Sequence, residues 1–230
     1  MSSYNIHIPT LAPELGTIKQ IAFIVEDIDQ AIDHWHQEYG VGPFIVTRDA
    51  SPLKGARYRG EPGKPVLLDL AFADMGDLQL ELIAQKNAVP SMYKEVFDRG
   101  QKGLQHYGTF VTDFEKARKF AEAQGMKPVI EVGVKGLARM NYLEARDFSR
   151  NIFASDEQSF MKTPEGYGIV LEVIEDNGLT KPIFDNMARI ASSIPEGQRV
   201  KEFDYDALIP KGAMLAGLGR FLVKKLLQRA

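Results

Sequence analysis

An internal repeat constrains this chain more than any other feature. Residues Ile18–Val46 read IKQIAFIVEDIDQAIDHWHQEYGVGPFIV, and Leu104–Glu131 read LQHYGTFVTDFEKARKFAEAQGMKPVIE. Both open with a short β-branched and aromatic run, which predicts a strand. An acid follows in each, Asp27 and Asp113, as a helix N-cap. A helical stripe comes next: Ile28, Ala31, Ile32, Trp35 and Tyr39 in the first copy, Phe114, Ala117 and Ala121 in the second. Each helix is expected to stop at a glycine, Gly40 or Gly125, and a new strand starts at Pro43 or Pro128. The copies also end alike, with LQLELI at 78–83 and IVLEVI at 169–174.

Between these landmarks each copy has room for two more strands. In the first, Val66–Ala73 reads as a strand that turns at Met75-Gly76-Asp77 into the last one, while 48–65 is rich in Gly, Pro and charge and reads as a loop. In the second, 137–143 and 159–162 are strand candidates around a polar stretch at 144–158. The expected fold is therefore α+β. Two βαβββ modules, about 16–86 and 102–176, make one domain over 1–176, joined by a helix at 90–99. Residues 177–230 read as a helical C-terminal extension, with helices at 181–193 and 213–228 and an irregular stretch at 194–210.

The strands also carry polar groups at equivalent positions. Alternate residues of a strand face opposite ways. In the closing strands Leu78, Leu80 and Leu82, and Leu171 and Val173, are expected to pack under the helices, which puts Glu81 and Glu172 on the other face. In the opening strands Gln20 and His106 occupy matching positions and face the same way as the glutamates. A lone carboxylate among apolar neighbours is costly to bury unless a partner or a metal satisfies it. Four polar groups are thus expected on one concave surface. A satisfied core histidine with two hydrogen-bonded glutamates is the other reading of the same residues.

These openings, the GLQHYG segment at 103–108, and the endings LELI and LEVI resemble the vicinal-oxygen-chelate superfamily over about residues 16–176. That superfamily includes glyoxalase I, methylmalonyl-CoA epimerase, extradiol dioxygenases and bleomycin-resistance proteins. The resemblance implies an incomplete barrel-like sheet around a central pocket and a divalent metal, with Gln20, Glu81, His106 and Glu172 as ligands. Such a set suits Zn, Ni, Co or Mn, with Fe as a further choice. The implied chemistry is that of a lyase or isomerase acting on an enediolate or enolate of a small oxygenated substrate, with Glu172 first and Glu81 second as the catalytic base. Two alternatives stand beside it: an iron-dependent ring-cleaving oxygenase, and a metal-free small-molecule-binding protein.

Departures from the relatives narrow the choice. Glyoxalase I carries an arginine four residues after its first ligand, where this chain has Ile24, so glutathione is not the expected cosubstrate. The epimerase pattern asks for a further glutamate before the closing strand of the first module, and the nearby acids Glu61 and Asp69 do not fit the spacing. Gln20 in place of a histidine argues against the two-His, one-carboxylate iron site of the dioxygenases.

Other features carry less. The chain has 230 residues, a formal net charge of −3 and no cysteine, which excludes disulfides and thiolate sites and gives no reason to expect nucleic-acid binding. No signal peptide or apolar run of about 20 residues is visible, so a cytoplasmic protein without membrane partners is expected. His34 and His36 flank Trp35 and are expected to be solvated; Arg57-Tyr58-Arg59-Gly60, Arg146 and Arg150 read as wet-loop residues, with binding of an anionic or aromatic substrate as the other reading. The leucine stripe Leu215, Leu218, Leu222 and Leu226 predicts packing on the domain or on a second subunit, the latter as a homodimer through the C-terminal helices.

Overall fold

The computed structural model describes residues 11–98, 102–134, 138–144, 170–176 and 180–208. The first module runs β1 (Thr17–Ile24), α1 (Ile28–Tyr39), β2 (Phe44–Ala50), the short β3 (Arg57–Tyr58) and β4 (Glu61–Pro62), β5 (Leu68–Met75) and β6 (Leu78–Gln85). Helix α2 (Met92–Asp98) leads to the second module: β7 (Gly103–Val111), α3 (Phe114–Ala123), β8 (Lys127–Val134), β9 (Ala138–Glu144) and β10 (Val170–Glu175). The chain continues into α4 (Thr180–Ser192), β11 (Val200–Glu202) and a 3-10 turn at Tyr205–Leu208.

Local chemistry sets the repeat as expected. The Asp27 carboxylate accepts from the Gln30 amide at 2.9 Å, and Asp113 accepts from the Lys116 amide at 3.0 Å. Both satisfy an amide that the first helical turn leaves without a partner. Helix α1 ends at Gly40 with φ 66°, and Gly125, one residue past the cap of α3, has φ 79°. Those left-handed positions suit a residue without Cβ.

One continuous sheet joins all the described strands in the order β11-β2-β5-β6-β1-β7-β10-β9-β8-β3-β4. The modules meet where β1 runs antiparallel to β7, and each opening strand pairs in parallel with its own closing strand. The sheet must curl. Strands β2 and β3 are eight pairings apart, about 38 Å across a flat sheet. The chain from Ala50 to Arg57 reaches at most about 25 Å. The helices lie on the convex side: Ile28 and Ile32 pack on Leu80 and Leu82, and Phe114, Ala117 and Ala121 on Leu171 and Val173. Burying each such leucine or isoleucine contributes about 1.5–3 kcal/mol. The concave side holds the largest core cluster, built from Leu68, Leu70, Phe72, Ile83 and Tyr142 among others.

Several expectations are corrected. Tyr39 continues the stripe of α1 but is 64% exposed, with its ring against Trp35 at 5.1 Å. The 48–65 loop contains the β3–β4 hairpin, and β3 pairs with β8 of the other module. Its residues are docked: the Tyr58 hydroxyl donates to Glu95, and Arg59 pairs with Glu95 at 2.7 Å and Glu144 at 3.2 Å. The extension past residue 176 is not purely helical, since β11 adds to the sheet beside β2. Its main-chain groups meet an unpaired edge, which apolar periodicity does not reveal. The strand candidate at 159–162, the helix at 213–228, Arg146 and Arg150 lie outside the described residues. Among the described residues no helix is long and apolar enough to cross a membrane.

Candidate functional site

Gln20, Glu81, His106 and Glu172 sit on β1, β6, β7 and β10, the four adjacent central strands. Each is buried, at 5%, 9%, 0% and 3% exposure. The registers explain how they meet. Glu81 lies beside Ala22, which in turn faces His106 across the module boundary. Glu172 lies beside Gly108, which faces Gln20. The pattern is two-fold: Gln20 matches His106, Ala22 matches Gly108, and Glu81 matches Glu172. Ala22 and Gly108 form the floor over which the larger side chains reach each other. A Cβ on Gly108 would stand 2.9 Å from Gln20 Cβ and 3.2 Å from Glu172 Oε2, so this approach depends on glycine.

Bulges complete the arrangement. The β1–β7 ladder carries an extra residue at Lys19 and another at Gln105, each one position before its polar residue. A bulge bends the strand locally and re-aims the next side chain. The bulge at Gln105 also brings its Oε1 to 2.6 Å from His106 Nδ1. An amide oxygen only accepts, so Nδ1 carries the proton and Nε2 is directed at the two glutamates. His106 Nε2 lies 3.4 Å from Glu81 Oε2 and 3.4 Å from Glu172 Oε2, without a hydrogen bond of ordinary geometry. The Tyr142 ring stands edge-on to the imidazole at 5.3 Å.

Two carboxylates against a buried imidazole call for positive charge. Burial works against the charged form of His106, but Glu172 and Glu81 outweigh it and push its pKa up to about 9. Burial raises the Glu81 carboxyl above the ordinary carboxylate range, with His106 opposing the rise. Among the described residues no group of three or more His, Asp or Glu side chains is placed so as to hold a metal ion. The two separations from His106 Nε2 have the scale of a metal site. Ligands held about 2.1 Å from a tetrahedral metal stand about 3.4 Å apart. The buried Nε2 and the oxygen-rich donor set fit a divalent cation.

Beside this cluster lies a cavity of about 240 Å³, into which Gln20, Gln79, Glu81 and Glu172 open. Tyr93 of α2, Tyr142 of β9 and Tyr205 of the 3-10 turn also line it, and α4 covers one side through Ile183, Phe184 and Met187. Burial, with the two glutamates nearby, raises all three phenols above their ordinary range. Sequence reasoning missed Ala22, Gly108, Gln105 and the tyrosines. Tyr142 pairs with Glu172 in the ladder, and Phe72 with Glu81, so a correct register would have found Tyr142. Asp69 faces the other way: it accepts from the Asp49 amide at 3.0 Å and pairs with Arg48 and Lys86. Glu61 sits exposed on β4. His36 Nδ1 lies 3.2 Å from the Val41 carbonyl, and neither His34 nor His36 lines the cavity.

No curated protein matches the chain. Among solved structures, a hypothetical protein from Bacillus halodurans is 16% identical, with TM-score 0.46, covering 70% of this chain and 94% of that one. Methylmalonyl-CoA epimerase from Mycobacterium tuberculosis is 19% identical, with TM-score 0.47, covering 74% and 94%. A Streptomyces coelicolor methylmalonyl-CoA epimerase variant in complex with 2-nitronate-propionyl-CoA is 14% identical, with TM-score 0.46, covering 71% and 96%. The family model described as glyoxalase/bleomycin resistance protein/dioxygenase superfamily matches residues 19–143, more than half of the 230-residue chain. It runs from the first opening strand to the end of β9, and the chain belongs to that superfamily.

Proposed function

We propose that this chain is a divalent-metal-dependent enzyme of lyase or isomerase type, in which Gln20, Glu81, His106 and Glu172 hold the cation and a small oxygenated substrate enters the adjacent cavity. The observation that carries the reading is the buried Nε2 of His106, which faces both carboxylates at 3.4 Å without a hydrogen bond of ordinary geometry. Its superfamily generally uses divalent metals. Two carboxylates neutralise such a cation, and Gln20 supplies a third oxygen. When bound, the cation supplies Lewis acidity that makes a C–H next to a carbonyl easier to deprotonate.

The chain's own residues do the rest. Glu172 is the first choice of base and Glu81 the second, each taking a proton from carbon onto a carboxylate oxygen and returning it to the substrate. The apolar walls exclude water.

The test is metal content together with isotope exchange. The purified chain is expected to take up about one divalent ion, and His106→Ala or Glu172→Ala to lose it. Full retention in both variants overturns the assignment. Glu172→Gln is expected to keep much of the metal yet stop deuterium exchange from solvent into α-hydroxycarbonyl compounds; exchange surviving both Glu172→Gln and Glu81→Gln removes both bases.

A metal-free binding protein is the second reading, favoured by the raised pKa of His106, since an imidazolium can itself balance the carboxylates. Stoichiometric ligand capture without metal or turnover would establish it. The iron oxygenase stands further back, because the trio has one imidazole and two carboxylates rather than the reverse. Oxygen uptake with catechols and added Fe(II) would restore it. A cytoplasmic homodimer completes the proposal, and sedimentation of the full chain tests the dimer.

A further inference from the structure

The two copies of the module place polar groups at equivalent positions but differ in what stands behind them. Each opening strand carries a bulge one residue before its polar group, at Lys19 and at Gln105. Lys19 is exposed, whereas Gln105 is 4% exposed and its Oε1 lies 2.6 Å from His106 Nδ1. Each closing-strand glutamate has an aromatic neighbour across the ladder, Phe72 for Glu81 and Tyr142 for Glu172. A phenyl ring offers a carboxylate no O–H donor. The Tyr142 hydroxyl is hydrogen-bonded to Glu172. Equivalent backbone positions thus carry an exposed cation and a phenyl ring in the first copy, and an amide acceptor and a phenol donor in the second.

The support in the second copy runs two layers deep. A phenol has one proton to give. Tyr142 gives it to the Glu172 carboxylate, which leaves the Tyr142 oxygen to accept from the Tyr93 hydroxyl bonded to it. Tyr93 is buried and comes from α2, the helix that links the modules. The Tyr142 ring also stands edge-on to the imidazole at 5.3 Å, so one side chain bears on both groups. Gln105, His106, Tyr142 and Glu172 are all buried, so water does not replace a bond when its partner is removed.

These contacts act on direction. Half a turn of the imidazole about its Cβ–Cγ bond would put Cε1 where Nε2 stands, and so a carbon where a ligand nitrogen is needed. The Gln105 oxygen opposes that turn, because it would then meet Cδ2 in place of the Nδ1 proton. A carboxylate held by a phenol likewise keeps one orientation as Glu172 Oε2 faces His106 Nε2 at 3.4 Å.

We propose that Gln105 and Tyr142 are positioning residues, Gln105 for the imidazole of His106 and Tyr142, backed by Tyr93, for the carboxylate of Glu172, so that the second module presents this pair to a divalent cation in one fixed arrangement. The proposal rests on the functional reading above for the cation, and on the two contacts themselves for the rest. Partners in this position fix the tautomer and direction of a metal ligand, and their loss costs about 10–100-fold in metal affinity.

The test uses the full-length chain after treatment with EDTA. Zinc affinity is read by competition with a chromophoric chelator, and the His106 ring by nitrogen–proton correlation spectra. Gln105→Met keeps the length of the side chain without its acceptor. That variant and Tyr142→Phe are each expected to weaken zinc binding by about tenfold or more. Gln105→Glu keeps an acceptor and is expected to bind zinc at least as tightly as the unaltered chain. Lys19→Met, the matching change in the first copy, is expected to leave the affinity unchanged. The double variant Tyr93→Phe/Tyr142→Phe is expected to match Tyr142→Phe alone, because Tyr93 acts through Tyr142. Without metal, the His106 Nδ1 proton is expected downfield and slow to exchange in the unaltered chain and in Gln105→Glu, and displaced in Gln105→Met. The Glu172 carboxyl carbon resonance is expected to move in Tyr142→Phe. Zinc affinity unchanged in both Gln105→Met and Tyr142→Phe overturns the proposal. So does an equal loss in Gln105→Glu and Gln105→Met, which would mark a packing role, or metal-free resonances that neither variant moves. An unaltered chain that takes up no zinc sinks the functional reading, and the metal-free resonances then decide the two contacts by themselves.

Discussion

Gly108→Ala is the sharpest perturbation of the four-strand arrangement. The added methyl would sit 2.9 Å from Gln20 Cβ, 2.9 Å from Gln20 Oε1 and 3.2 Å from Glu172 Oε2. Carbon atoms in contact stand about 3.5–4.0 Å apart, so the shortfall against Gln20 Cβ is about 0.6–1 Å. Rotating the end of Gln20 relieves the contact with Oε1 but not the one with Cβ, which moves only with the backbone of β1. Gly108 does not have a positive φ, so the penalty is steric rather than conformational. Overpacking of this kind costs about 1–3 kcal/mol, offset by about 0.5–1 kcal/mol from the lost flexibility of glycine in the unfolded chain. A net cost of about 1–2 kcal/mol corresponds to a melting temperature lower by about 2–8 °C for a chain of this size. The displaced Gln20 and Glu172 are expected to weaken divalent-metal uptake by about tenfold or more. Calorimetric melting of the metal-free chain and a zinc titration read the two effects separately. A melting temperature indistinguishable from wild type together with unchanged zinc affinity would refute the packing described here.

Two further outcomes follow from the same geometry. The His106 pKa is raised from 6.5 to about 9 in the folded chain, so its contribution is complete below about pH 6.5 and disappears as pH rises through 9. The metal-free protein should therefore lose stability between those values, by on the order of 3 kcal/mol, while a bound divalent ion should remove that dependence; a flat melting profile from pH 6.5 to 9 in the metal-free chain counts against it. Leu208, 1% exposed, is expected to cost about 2–3 kcal/mol when replaced by alanine, near the lower end for a buried leucine because it already borders the cavity. An unchanged denaturation midpoint would mean that the segment after α4 does not seal the concave face.

Much of the scaffold was readable from local chemistry. Asp27 and Asp113, followed by apolar stripes and closed by glycines, determine two helices because capping and amphipathicity act within a dozen residues. Alternation in the closing strands correctly separated Leu80 and Leu82 from Glu81, and Leu171 and Val173 from Glu172. The four polar positions followed from the repeat, because a duplicated module places equivalent residues on equivalent faces. Three features escaped for one common reason. The bulges at Lys19 and Gln105, the strand β11 and the tyrosines of the cavity depend on partners distant in sequence.

The sequence by itself therefore determined the two modules, their caps, the faces of their strands and the choice of Gln20, Glu81, His106 and Glu172 as candidates. Tertiary structure alone decided that Ala22 and Gly108 lie between those groups, that Gln105 orients the imidazole, and that α4 and the Tyr205–Leu208 turn enclose the space beside them. The physical reason lies in range. Propensity, capping and alternation are written in neighbouring residues, whereas the 3.4 Å contacts of His106 arise only when a ladder register brings together residues 25 and 66 positions away.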